Sequence, residues 1–116
     1  MNEVAERDDA ERLLGGLENG GLAPADAVVL AEKLDPVLVY VIVTFLRKVY
    51  PASDPAATSV LERVVRLTSS GPAAIRKHRE GAQDPVSRWF ESEYAYADYR
   101  GRGSELIGLI VDKLYS

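Results

Sequence analysis

Apolar residues recur along this chain at the three- and four-residue steps of an amphipathic helix, and turn-forming residues separate the runs. In residues 24–34, Ala27, Leu30, Ala31 and Leu34 share one face. In residues 55–69, Ala57, Val60, Leu61, Val64, Leu67 and Thr68 follow the same period, and Glu62 and Arg66 stand one turn apart as an i,i+4 ion pair. Residues 4–18 carry a weaker stripe of Val4, Leu13, Leu14 and Leu17, diluted by Gly15 and Gly16. The pattern predicts a short helix over 72–80 and longer ones over 85–100 and 104–115.

Residues 36–50, PVLVYVIVTFLRKVY, have no polar face. Val and Ile favour strands. A strand, however, usually runs about 5–6 residues, and this run fills the whole interval between Pro36 and Pro51 with no second strand candidate to pair with. It therefore reads as a helix that is apolar all round, which places it at the centre of the fold.

The punctuation supports these boundaries. Asp35-Pro36, Asp54-Pro55 and Asp84-Pro85 each put an N-capping carboxylate before a proline at the first helical position. The Asp accepts from the orphan N–H groups of the first turn, and Pro lacks the N–H that would be orphaned there. Pro24, Pro72 and Ser104 mark further starts. Gly20-Gly21, Pro51, Gly71, Gly81 and Gly101 mark stops. The expected fold is all-α, a compact single-domain bundle of six to seven short helices covering residues 1–116, with residues 1–8 the candidate for a disordered N-terminus.

Composition narrows the chemistry. With 116 residues, 47% of them hydrophobic and 28% charged, the chain has a globular balance and enough length for a core. There is no Cys, so disulfide and thiolate chemistry are excluded. The opening MNEVAERDDAER has neither the basic nor the apolar region of a signal peptide. The run VLVYVIVTFL falls short of the roughly 20 residues a membrane span needs. A cytoplasmic location without membrane contact is expected.

The net charge of −4 is unevenly distributed. Residues 1–35 hold nine acids against Arg7, Arg12 and Lys33, which gives −6; the remainder holds nine acids against eleven bases, which gives +2. Between Arg63 and Arg79 there are five bases and no acid. Such a split points to a charged partner or to self-association.

The richest segment is WFESEYAYADYRGRG, residues 89–103. Wound as one helix over 85–100, it has three stripes: Val86, Phe90, Tyr94 and Ala97; Trp89, Glu93, Tyr96 and Arg100; and Glu91, Ala95 and Asp98. The first suits a core. Trp89, Glu93, Tyr96 and Tyr99 form a candidate partner-binding face, since Trp and Tyr bury large rings while keeping a polar tip near water. Arg63, Arg66, Arg76, Lys77, Arg79, Arg100 and Arg102 form a candidate basic patch, suited to phosphate backbones or an acidic protein surface. The ordinary alternative for these cations is a solvated face near helix C-termini, where the helix dipole favours them.

Enzymatic readings find little support. The one His, His78, sits among Arg76, Lys77 and Arg79 and reads as a surface residue with a depressed pKa. No Glu-x-x-His pair for a helical metal site occurs, the several Cys or His ligands of a zinc site are missing, and GGLENGG lacks the Lys and Ser/Thr of a phosphate loop. No catalytic residue, metal or cofactor is expected. The C-terminal SELIGLIVDKLYS is apolar over a wide arc. With the central helix, it offers more apolar surface than one core of this size needs. The expectation is a non-enzymatic protein–protein interaction, adaptor or regulatory module. It would act through the aromatic helix and the C-terminal helix on a protein partner or on a second copy in a homo-oligomer. The alternative is a helical subunit of a nucleic-acid or nucleoprotein complex that uses the basic patch.

Overall fold

In the computed structural model, described over residues 3–93 and 96–116, seven α-helices and two 3₁₀ turns account for most of the described residues. The α-helices are α1 (Glu3–Asn19), α2 (Pro24–Lys33), α3 (Pro36–Val49), α4 (Thr58–Ser69), α5 (Pro72–Gly81), α6 (Pro85–Glu93) and α7 (Gly103–Leu114). The 3₁₀ turns are Pro55–Ala57 and Tyr96–Tyr99. No strand occurs among the described residues. The radius of gyration, 12.9 Å, is that of one compact domain.

The Asp-Pro signals work as their chemistry requires. The Asp35 carboxylate accepts from the Val37 N–H at 2.9 Å, Asp54 from Ala56 at 2.9 Å and Asp84 from Val86 at 2.8 Å. Each capped helix or turn has proline in the first position, so two of the orphan donors of P-started helices are dealt with before any packing begins. Gly20, at φ 78°, lets the chain turn left-handed after α1 while its N–H still reaches the Gly16 carbonyl at 3.0 Å.

Helix α3 is the hub. Ten of its residues are buried, from Val37 to Val49, and α1, α4, α5, α6 and α7 all pack on it. Its Val and Ile side chains fit a helix because every face meets another helix, so packing outweighs strand propensity. The tightest crossing is with α5. A Cβ at Gly81 would run into the Pro36 carbonyl oxygen and stand 2.5 Å from Tyr40 Cβ. Helix α7 runs against α1: Gly103 lies beneath Leu14 and Gly108 beneath the Arg7 guanidinium, so the two helices are antiparallel.

Several sequence expectations change. Residues 3–8 form the first turns of α1. Val4 does not belong to the buried stripe of that helix: it is 65% exposed, and Glu6 and Ala10 join Leu13, Leu14 and Leu17 instead. Of the aromatic helix predicted over 85–100, Pro85–Glu93 are helical as α6, and Tyr96–Tyr99 form a 3₁₀ turn instead. Trp89, Glu93, Tyr96 and Arg100 are therefore not one helical stripe. Tyr94, Ala95 and the side chain of Ala97 lie outside the described residues. Helix α7 starts at Gly103, one residue before the predicted Ser104, and buries Leu106, Ile107, Ile110 and Val111 in the core. His78 is half-buried, not a free surface residue.

Candidate interaction surface

The aromatic residues serve the core first. Phe90 is fully buried, and Trp89, Tyr96 and Tyr99 pack partly buried against the core cluster. Tyr96 meets Phe90 edge-on, with ring centroids 5.0 Å apart. Cations of the chain itself cover the remaining ring faces. Lys113 Nζ lies 4.8 Å from the Trp89 ring, Lys48 Nζ 4.8 Å from Tyr96, and the Arg102 guanidinium 5.4 Å from Tyr99. The Tyr96 hydroxyl is buried without a hydrogen-bond partner among the described residues, and burial raises its pKa above the usual tyrosine value. Glu93 is exposed.

Most of the basic residues are engaged by groups of the chain itself. Arg63 Nε donates to the Leu17 carbonyl at 2.8 Å and Arg63 Nη2 to the Glu18 carbonyl at 3.1 Å, satisfying the C-terminal end of α1. Lys77 Nζ donates to the Leu34 carbonyl at 3.1 Å, just past the end of α2. Both cations thus sit where a helix exposes unpaired carbonyls and the negative end of its dipole. They meet the acidic N-terminal third through its backbone, not its carboxylates. Arg76 pairs with Glu80 at 3.6 Å. Arg100 pairs with Asp54 at 3.3 Å and lies 4.5 Å over the Tyr50 ring. Arg102 Nε bonds Glu105 at 2.6 Å. Arg66 and Arg79 make no ion pair among the described residues.

A polar cluster that the sequence did not signal joins α3, α5 and α6. The Tyr40 hydroxyl donates to a Glu91 carboxylate oxygen at 2.5 Å, and its ring packs on His78 with centroids 5.1 Å apart. The bond to Glu91 and burial raise the Tyr40 pKa. Burial lowers that of His78, helped by Arg47 and Arg79. Spacing within one helix could not reveal these contacts, because Tyr40 and Glu91 are 51 positions apart. Glu6 was equally hidden: it is 3% exposed, and neither carboxylate oxygen has a hydrogen-bond partner among the described residues.

Exposed large apolar side chains stand on several helices, Val4 on α1 and Leu109 on α7 as well as Val65 on α4 and Val29 on α2. Val65 is 55% exposed and Val29 50% exposed. A depression of about 610 Å³ is lined by Ala52, Thr58, Leu61, Glu62, Val65 and Arg66. A second, of about 580 Å³, lies between α2 and α4 against Pro24, Ala25, Val28, Arg66, Ser69 and Ser70. Arg66 borders both. No group of His, Asp or Glu among the described residues is arranged to hold a metal ion, and no described helix is long and apolar enough to cross a membrane. Comparison of the chain with protein-family models, curated proteins and solved structures finds no match, so its function has to be read from this geometry.

Proposed function

We propose that this chain is a non-enzymatic protein-interaction module, adaptor or regulatory in kind, whose contact face is the outward side of α4 with the adjoining edge of α2. The observation that carries the reading is Val65. It stands 55% exposed on a helix that buries Val60, Val64 and Leu67, beside an open depression with an unpaired Arg66 at its rim. Apolar side chains next to an available arginine are the make-up of contact surfaces. The face first expected, Trp89, Glu93, Tyr96 and Tyr99, is less suited, because its rings are held against the core and covered by Lys113, Lys48 and Arg102. Helix α7 likewise commits most of its apolar residues inward.

The internal engagement of most of the seven basic residues argues against the nucleic-acid alternative. Two of them hold helix ends and three are ion-paired, which leaves too few cations on one face to neutralise a run of phosphates. Affinity capture from the native host tests the proposal. The tagged wild-type chain and its Glu93→Ala variant should retain the same partner, and Val65→Asp, equally folded by circular dichroism, should lose it. Retention by Val65→Asp would remove α4 as the contact face.

A further inference from the structure

The outward stripe of α4 consists of Thr58, Leu61, Glu62, Val65, Arg66 and Ser69. Glu62 and Arg66 have the spacing and orientation of a helical ion pair. Among pairs of comparable spacing, Asp8 and Arg12 stay apart, while Arg7–Glu11, Arg76–Glu80 and Arg102–Glu105 close. Glu62 and Arg66 do not, and both side chains are exposed with no other ion pair among the described residues. Arg66 instead leans over the two depressions that flank the helix.

Glu62 and Arg66 lie along one edge of the stripe, and Leu61 and Val65 lie along the other. We infer that this face binds a second copy of the chain, with two α4 helices packed antiparallel about a two-fold axis near the level of Val64. In an isologous pair, what residue i does to j, j does to i. Antiparallel helices bring the same edge of each together, so Glu62 of each copy meets Arg66 of the other and the ion pair forms twice. Leu61 then opposes Val65 on the other edge, also twice. The depression of about 610 Å³ beside Val65 receives the apolar side chains that would otherwise stand in water. A parallel pairing loses both ion pairs, so the charges fix the orientation as well as the partner.

This inference rests on α4 being the contact face, and the experiment separates the two claims. Sedimentation equilibrium over roughly 1–500 µM, the range a small interface of this kind demands, should show a monomer–dimer equilibrium for the wild type. Glu62→Arg and Arg66→Glu each set like charges opposite each other twice and should weaken dimerisation about tenfold or more. The double variant, E62R with R66E, restores complementarity and should return Kd to within about threefold of the wild type. Circular dichroism must show equal helix in all four. A wild type that stays monomeric, a dimer indifferent to both single reversals, or a double variant that fails to recover overturns the inference. If the chain is monomeric and Val65→Asp still loses a captured partner, the self-association falls and the interaction reading stands. If captured partner and dimer alike ignore α4 substitutions, both fall.

Discussion

Glu6 offers the sharpest energetic test of the fold. It continues the buried stripe of α1 at the position before Ala10, Leu13, Leu14 and Leu17, is 3% exposed, and has no hydrogen-bond partner on either carboxylate oxygen among the described residues. Burying an unpartnered polar group costs about 1–3 kcal/mol by mutational measures. Replacing it with Met removes that cost and adds buried apolar surface, roughly another 1 kcal/mol for the extra carbon and sulfur contacts. Met also adapts its shape to an irregular site, which limits overpacking. Glu6→Met should therefore stabilise the protein by about 2–4 kcal/mol. For a chain of this length that is roughly 6–20 °C in Tm. Glu6→Gln keeps the shape and still leaves polar atoms unpaired, so it should recover clearly less. The assay is thermal and urea unfolding followed by circular dichroism, with equal m-values required. A Glu6→Met variant that is neutral or less stable would show that the carboxylate holds a stabilising bond, and would refute the packing assigned to the start of α1.

Three further outcomes follow from the same geometry. Gly81→Ala drives a methyl into the Pro36 carbonyl at the α3–α5 crossing and should cost at least about 1–3 kcal/mol, read from the urea midpoint, despite the better helix propensity of Ala. Arg63→Met leaves the Leu17 and Glu18 carbonyls without their donor and should cost about 1–3 kcal/mol, whereas Arg76→Ala, which breaks only an exposed pair, should stay within about 0.5 kcal/mol by the same measurement. His78 has a folded pKa below its ordinary 6.5, so the unfolded chain binds its proton more readily, and His78 withdraws stability as pH falls from about 6.5 toward the folded value. His78→Gln should lose less stability than the wild type between pH 7.5 and 5.5, roughly the window in which an imidazole titrates; an identical loss would mean that His78 is not buried against Tyr40.

The helical architecture was legible because its signals are local. The three Asp-Pro caps and the all-apolar run of α3 act within a few residues, and each is realised in the fold, whereas Gly101 follows a 3₁₀ turn and not the predicted helix. The 3₁₀ turn Tyr96–Tyr99 was not legible: nothing between Trp89 and Arg100 forbids a helix, and Tyr96 reaches Phe90 and Lys48 from that turn. The destinations of the cations were equally out of reach. Arg63 bonds carbonyls 45 and 46 positions away and Lys77 one 43 positions away, so their roles depend on which helix ends the fold brings near them. Val65 is the reverse case. It already lies off the periodic stripe of α4 in the sequence, and the fold leaves it 55% exposed.

The most direct test of the account is a photo-reactive residue placed in the living host at Val65, and separately at Glu93 on the aromatic helix. The account predicts a cross-linked protein adduct from position 65, a second copy of the chain among its products, and little or none from position 93. Adducts from position 93 with none from position 65 would move the contact surface to the aromatic helix and contradict the account.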